Sequence, residues 1–192
     1  MSNLFPELTP FPPGFKYVPD FLTVEEEAQL LAILSSLSLK TFLFHGYEAK
    51  RKVASFGYNY HFTSRTISEG APVPAGFDFL IRKVEAHFEL PGGSFKQILT
   101  SEYPPNSVIN WHRDAPPFGI IVGISLAADC VFRLRPYAKE KQTRKSILSF
   151  PVARRSLYLM SGEARSEWEH SISPVKEKRY SITLRTLKEG MN

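Results

Sequence analysis

The chain has 192 residues, enough for one domain with a sizeable core and short for two. Hydrophobic residues make up 43% and charged residues 22%, ordinary proportions for a globular protein, and without a run of 18 apolar residues no transmembrane helix is expected. The formal charge of +5, from 24 basic and 19 acidic residues, suits a polyanionic partner such as nucleic acid but is also common in proteins without one. The single cysteine, Cys130, excludes an internal disulfide and CxxC zinc motifs and makes a reducing cytoplasm the expected compartment.

Residues 1–13 are proline-rich and lack the basic start and apolar run of a secretory signal, so no leader is expected. Residues 14–18 read as a short strand. Thr23 and Glu26 form a capping box, and Leu30, Leu31, Leu34 and Leu37 behind it recur at helical spacing. From Phe42 to Phe62 the chain turns aromatic and basic: Lys50, Arg51 and Lys52 lead into Phe56, Tyr58, Tyr60 and Phe62. Residues two apart share a face of a strand, so these four rings are expected to line one side. A second helix is predicted over residues 78–88, ending before Pro91-Gly92-Gly93. Past Ser94 the chain changes to strands, predicted at 95–103, 119–126, 131–135, 156–160, 168–172 and 179–187. The charged stretch 138–146 reads as a solvated hairpin loop. Many short strands after a helical start predict a mostly β (α+β) sandwich or jelly roll with N-terminal helices.

His112-Arg113-Asp114 places an imidazole and a carboxylate two residues apart, on one side of an extended segment, where both can reach one metal. Such a pair alone is weak, because chance supplies it. His170, on another predicted strand, completes two histidines and one carboxylate. That is the facial triad of non-haem iron(II) oxygenases, with three positions open for a bidentate 2-oxo acid and O2. The plain alternative is two part-buried histidines and a surface aspartate. Arg179, Ser181, Thr183 and Arg185 alternate on one strand face soon after His170. An arginine aimed into a barrel needs an anion, and a dicarboxylate offers one carboxylate to each guanidinium. The alternative here is exposed arginines paired with Glu177 or Glu189.

On these residues the chain resembles the AlkB-like branch of the iron(II)/2-oxoglutarate dioxygenases over nearly its whole length. The likeness starts at Tyr17-Val18-Pro19-Asp20-Phe21-Leu22 and continues through Arg51-Lys52-Val53-Ala54-Ser55-Phe56-Gly57-Tyr58 and the HRD motif. It ends in Gly162-Glu163-Ala164-Arg165-Ser166-Glu167-Trp168-Glu169-His170 and Arg179-Tyr180-Ser181-Ile182-Thr183-Leu184-Arg185, whose arginine pair is its most diagnostic feature. The resemblance implies a double-stranded β-helix (jelly-roll) core in a single domain, with helices and a nucleotide-recognition lid in residues 1–93 and the catalytic core in 94–192. It implies His112, Asp114 and His170 as iron ligands and Arg179 at the distal carboxylate of 2-oxoglutarate. Arg185 would lie by the carboxylate next to the keto group, Tyr103 would hydrogen-bond the cosubstrate, and Ser181 shares the arginines' strand face. Two positions depart from the family. Its usual asparagine is Ser101 here, a shorter group that would reach the cosubstrate through water. A base-reading acid found in some members is Pro116 here, which cannot accept from an exocyclic amine.

The activity implied is oxidative dealkylation of N-alkylated nucleobases in DNA or RNA, a repair reaction using Fe(II), 2-oxoglutarate and O2 and releasing aldehyde, succinate and CO2. The same chemistry on a tRNA base or a protein side chain is the first alternative, and a non-enzymatic jelly-roll binding module the second. A target base must leave its stack to be reached. Arg51, Tyr58, Tyr60 and Trp111 are therefore candidate substrate contacts, with Phe56 as a further stacking ring and Lys50 and Lys52 as phosphate contacts. Core packing is the plain alternative for each ring. His45, His61 and His87 read as structural or exposed, and Cys130 as a small core residue. The expected partners are alkylated DNA or RNA and 2-oxoglutarate, with no membrane and a monomeric chain.

Overall fold

The computed structural model describes residues 11–44, 47–61 and 63–190. The proline-rich residues 1–10, His45 and Phe62 lie outside the described residues. Phe15–Val18 forms strand β1, and helix α1 follows at Val24–Ser36. Its capping box is closed: the Thr23 hydroxyl accepts from the Glu26 N–H at 3.1 Å, and the Glu26 carboxylate accepts from the Thr23 N–H at 2.8 Å. Leu30 and Leu34 are fully buried, and Leu31 and Leu37 pack against the same cluster. The next elements are β2 (Lys40–Phe44), β3 (Tyr47–His61), β4 (Thr66–Glu69), α2 (Asp78–His87), β5 (Phe95–Tyr103), β6 (Ile109–His112), β7 (Phe118–Leu126) and β8 (Cys130–Pro136). Then come β9 (Leu148–Val152), β10 (Leu157–Met160), the short helix α3 (Gly162–Ser166), β11 (Trp168–Ile172) and β12 (Arg179–Leu187).

All the strand pairs are antiparallel, in two sheets. The larger runs β1-β10-β7-β12-β5-β3-β2, with β4 paired to β3; the smaller runs β6-β11-β8-β9. Alternation along the strands of the larger sheet splits their side chains between two layers. Val122, Ile124, Leu157, Leu159, Ile182 and Leu184 pack under α1 and α2, against Leu30, Leu34, Leu80 and Val84. The opposite face meets the smaller sheet, where Phe15, Ile121, Tyr158 and Met160 join Phe132, Leu134, Val152 and Ile172. This is the jelly-roll architecture, mostly β with N-terminal helices. Each fully buried Leu or Ile contributes about 1.5–3 kcal/mol of apolar transfer, which holds the two layers in register. The N-terminal part is continuous with the rest, because β1, β2 and β3 share the larger sheet with β5, β7, β10 and β12.

The strands over 95–103, 168–172 and 179–187 match the expected bounds, and the other three differ by at most one residue at an end. The stretch 138–146 holds two single 3-10 turns and links the antiparallel pair β8 and β9, as a hairpin loop should. Strands β2, β4, β6 and β9 fall where no strand is predicted.

The four-ring face is corrected. Gly57 interrupts β3 with φ 79°, and an added Cβ there would run into the Lys96 carbonyl. Up to Gly57 the strand pairs with β5; from Tyr58 it pairs with β4. Phe56 accordingly packs in the helix-side layer, 6.3 Å from Phe77, while Tyr60 packs against the layer between the sheets. Phe56 is thus a core ring and not a stacking platform.

Candidate metal centre and cosubstrate pocket

Strands β6 and β11 are neighbours in the smaller sheet, and their register sets His112 directly opposite His170. The two ring centroids are 4.2 Å apart. Asp114 follows just past the end of β6. Its Oδ1 lies 3.6 Å from His112 Nε2 and 3.9 Å from His170 Nε2, and the donor atoms of all three residues fall within 4.8 Å of one another. The Nδ1 of His112 donates to the Asn110 carbonyl at 2.8 Å, which leaves the Nε2 lone pair pointing at the cluster. His170 stacks on Phe132, with centroids 5.4 Å apart and planes 6° from parallel. Burial, and then the neighbouring His112, push its pKa down to about 3, so its imidazole is neutral, as a metal ligand must be. Burial works against the charge on Asp114, but the Arg185 guanidinium beside it outweighs burial and holds the carboxyl well below the usual range.

Asp114 is clamped twice. Arg185 Nε donates to its Oδ2 at 3.0 Å, and Arg185 Nη1 donates to Gln97 Oε1 at 2.8 Å. The amide of Gln97 in turn donates to the Tyr58 carbonyl at 2.7 Å and to the Ser55 hydroxyl at 3.3 Å. From α3, Arg165 Nη2 donates to the backbone carbonyls of Asp114 and Ala115, at 3.0 and 2.7 Å. Neither Gln97 nor Arg165 has a role that sequence reasoning assigns. The available signal for Gln97 is its parity on β5: it shares the inward face of Ser101 and Tyr103.

Arg179 is 1% exposed. Its Nε donates to the Ser125 hydroxyl at 3.0 Å, and its guanidinium lies 5.1 Å from the Tyr103 ring centroid. Among the described residues its Nη1 is buried without a partner. An orphaned buried donor costs about 1–3 kcal/mol, and a ligand carboxylate would satisfy it. Neither Arg179 nor Arg185 pairs with Glu177 or Glu189. The hydroxyls of Tyr103 and Ser181 are 3.3 Å apart. Ser101, Tyr103, Arg179, Ser181 and Arg185 line one cavity with His112, Asp114 and His170. A two-histidine, one-carboxylate donor set and a buried guanidinium with one nitrogen left unpartnered, in the same cavity, fit an iron(II) ion with a dicarboxylate.

Of the substrate candidates, Arg51 lines this cavity. Lys50 and Lys52 are exposed on either side of it, and Tyr58 is half-buried. Trp111 is corrected. Neighbours on a strand face opposite ways, so with His112 inward Trp111 turns outward, its ring centroid 5.0 Å from Arg133 and 4.4 Å from Arg135 on the outer face of the smaller sheet. Pro116 is exposed beside a second cleft that adjoins the first at Asp114. His61 is exposed and bonded to Ser68 at 2.7 Å, His87 packs between Phe21 and Phe88, and Cys130 is buried in the core.

Residues 14–187 match the model of the 2OG-Fe(II) oxygenase superfamily. The chain is 28% identical to the alkylated DNA repair protein ALKBH8 homolog of Arabidopsis thaliana, covering 92% of this chain and 59% of that protein. It is 29% identical to the tRNA (carboxymethyluridine(34)-5-O)-methyltransferase alkbh8 of Xenopus tropicalis, covering 86% of this chain and 26% of that protein. It therefore spans only part of the length of these relatives. Among solved structures, OsALKBH1 shares the fold, with a TM-score of 0.72 at 15% identity over 92% of this chain and 98% of that one. The chain belongs to the 2OG-Fe(II) oxygenase superfamily and is an AlkB-like oxygenase, an enzyme of Fe(II), 2-oxoglutarate and O2.

Proposed function

We propose that the chain oxidatively dealkylates N-alkylated nucleobases in DNA or RNA, a repair reaction. The observation that carries the chemistry is the convergence of His112, Asp114 and His170 in one cavity with the unpartnered Nη1 of Arg179. The three residues would hold the iron, and Arg179 would take the distal carboxylate of 2-oxoglutarate. Tyr103, Ser181 and Ser101 offer hydroxyls along the cavity wall, and Arg185 stands at its metal end. Iron(II) with 2-oxoglutarate and O2 supplies the oxidation of a C–H bond to C–OH as the 2-oxo acid becomes succinate and CO2.

The chain's own work is to position and protect. Arg185 keeps Asp114 ionised and fixes which oxygen faces the histidines. The Asn110 carbonyl fixes the tautomer of His112. The buried walls keep water from the reacting carbon. On a carbon attached to a ring nitrogen, the new hydroxyl gives a hemiaminal that collapses to an aldehyde and the restored base. Arg51 at the cavity, the exposed Lys50 and Lys52 beside it, and the DNA- and tRNA-directed names of the Arabidopsis thaliana and Xenopus tropicalis relatives support a nucleic-acid substrate.

A second reading keeps the chemistry on a tRNA base and leaves the hydroxyl in place. It is favoured by the name of the Xenopus tropicalis relative and by Pro116, which cannot read an exocyclic amine. Mass spectrometry of methylated DNA, methylated RNA and tRNA incubated with the protein, Fe(II) and 2-oxoglutarate separates the two. The first reading expects formaldehyde and an unmethylated base, the second an added oxygen retained on tRNA. Succinate formation that no nucleic acid stimulates would contradict both.

A further inference from the structure

We propose that the cleft between the Asp114–Pro116 turn, α3 and the end of β12 binds a phosphodiester of the nucleic-acid strand whose base enters the cavity; this rests on the nucleic-acid reading above. Three cations line this cleft: Arg113, Arg165 and Lys188. Among the described residues none of the three forms an ion pair. Arg113 is held by neutral groups: its Nη1 donates to the Ser166 carbonyl at 2.6 Å, and its guanidinium lies 3.5 Å from the Tyr137 ring centroid. Arg165 is 8% exposed; among the described residues its hydrogen bonds go to backbone carbonyls, and its buried Nε has no partner. Lys188 is exposed, and its backbone N–H is fixed on the Pro117 carbonyl at 2.8 Å. The carboxylate beside the cleft, that of Asp114, is bonded to Arg185 and faces the two histidines. Three positive charges therefore line one cleft, none of them ion-paired among the described residues, and the Asp114 carboxylate near Arg165 is already bonded to Arg185; a buried cation without an anion of its own is costly.

An anion of one charge with two free oxygens suits a pair of guanidiniums and an ammonium. The cleft shares Asp114 with the catalytic cavity, so its ligand lies next to whatever enters that cavity. A strand offering one base to the metal must carry its backbone past this rim, and Pro116 there adds no charge to repel it. Free phosphate shares the chemistry but lacks the tether of a base in the cavity.

The test uses the full chain with Fe(II) and 2-oxoglutarate, under nitrogen, and fluorescence anisotropy of a labelled single-stranded methylated oligonucleotide across a salt series. Inorganic phosphate and the methylated nucleoside without phosphate serve as competitors. Against wild type, Arg113→Gln with Lys188→Gln should lower the slope of log K on log salt by about 0.7 per cation removed. The nucleoside should compete equally well in both. Lys188→Gln alone, on an exposed side chain, gives the single-cation step should the double variant not fold. An unchanged slope in variants of a wild type that dealkylates the oligonucleotide would overturn the cleft and leave the enzyme assignment standing. Displacement of the oligonucleotide by millimolar phosphate as effectively as by an unlabelled strand would assign the cleft to a free anion and overturn it too. A wild type that neither binds nor dealkylates any strand would remove the nucleic-acid reading, and the cleft with it.

Discussion

Gln97 shows how a residue without chemistry of its own is drawn into the site. It accepts from Arg185, which holds Asp114, and donates to the backbone of β3 just past Gly57. Replacing it with leucine strands a guanidinium nitrogen and a carbonyl in a buried place. Gln97→Leu should weaken Fe(II) binding by roughly 10–100-fold in an anaerobic titration; unchanged affinity would show that Arg185 holds Asp114 unaided. Arg179 makes a contrasting case, because part of its charge is unsatisfied without a ligand. Arg179→Met should raise the Kd for 2-oxoglutarate by at least about 30-fold, the equivalent of about 2 kcal/mol for losing one partner of a buried charge pair. The melting temperature of the ligand-free protein should hold or rise. A fall in stability with unchanged affinity would place its counter-ion elsewhere. The triad and the arginine pair were legible in the sequence because His112 and Asp114 stand two apart across the end of β6, with His170 on a second strand, and Arg179 and Arg185 stand six apart on β12. The partners of Gln97 and Arg165 were not, since those of Gln97 lie 39, 42 and 88 residues away along the chain and those of Arg165 lie 50 and 51 away. For Trp111 the alternation that turns His112 inward was itself the warning.

Among elements, those with strong local signals were read correctly. Helix α1 has its capping box and leucine stripe, and β5, β11 and β12 have runs of branched and aromatic residues between turn signals. Strands β6 and β9 lack such signals and exist through their partners: β6 is four residues long, and β9 carries Pro151, tolerable because β9 is the edge of its sheet. The break in β3 depends on Gly57. Gly57→Ala should destabilise the fold by about 1–3 kcal/mol in a denaturant titration, from left-handed strain and the Lys96 contact. A neutral result would mean that the bend survives without glycine.

Helix α1 is tied to the larger sheet by Glu27, which is 1% exposed. Its carboxylate accepts from Arg154 at 2.6 Å and from the Ala127 N–H at 2.9 Å. Burial raises its pKa, but these bonds and the charges of Arg154 and Arg155 outweigh burial and lower it from 4.5. A depressed folded-state value means stabilisation that is complete above the unfolded-state pKa and lost as pH falls through the folded one. Melting temperature should therefore drop below about pH 4.5, and Glu27→Gln should be less stable at neutral pH with a shallower acid limb. Parallel limbs in the two proteins would rule Glu27 out as the source.

At the scale of the whole molecule, one rule of alternation builds both the core and the site. On β12, Ile182 and Leu184 fasten the sheet to the helices, while Arg179, Ser181, Thr183 and Arg185 face the smaller sheet and the two histidines. The cavity lies where the two sheets meet. Its ligands come from β6 and β11, and its anion-binding groups come from β5 and β12. The jelly-roll class was legible in the count of short strands. The division into two layers, and the side of the smaller sheet that stays open, depend on pairings that no local pattern encodes.

The claim that organises the molecule is that His112, Asp114 and His170 bind the metal that turns over 2-oxoglutarate. Its most direct measurement is succinate and formaldehyde yield from a methylated oligonucleotide, with wild type and Asp114→Ala compared under Fe(II) and 2-oxoglutarate. The two products are expected in equal amounts from wild type and neither from a folded Asp114→Ala, while undiminished succinate from that variant would contradict the account.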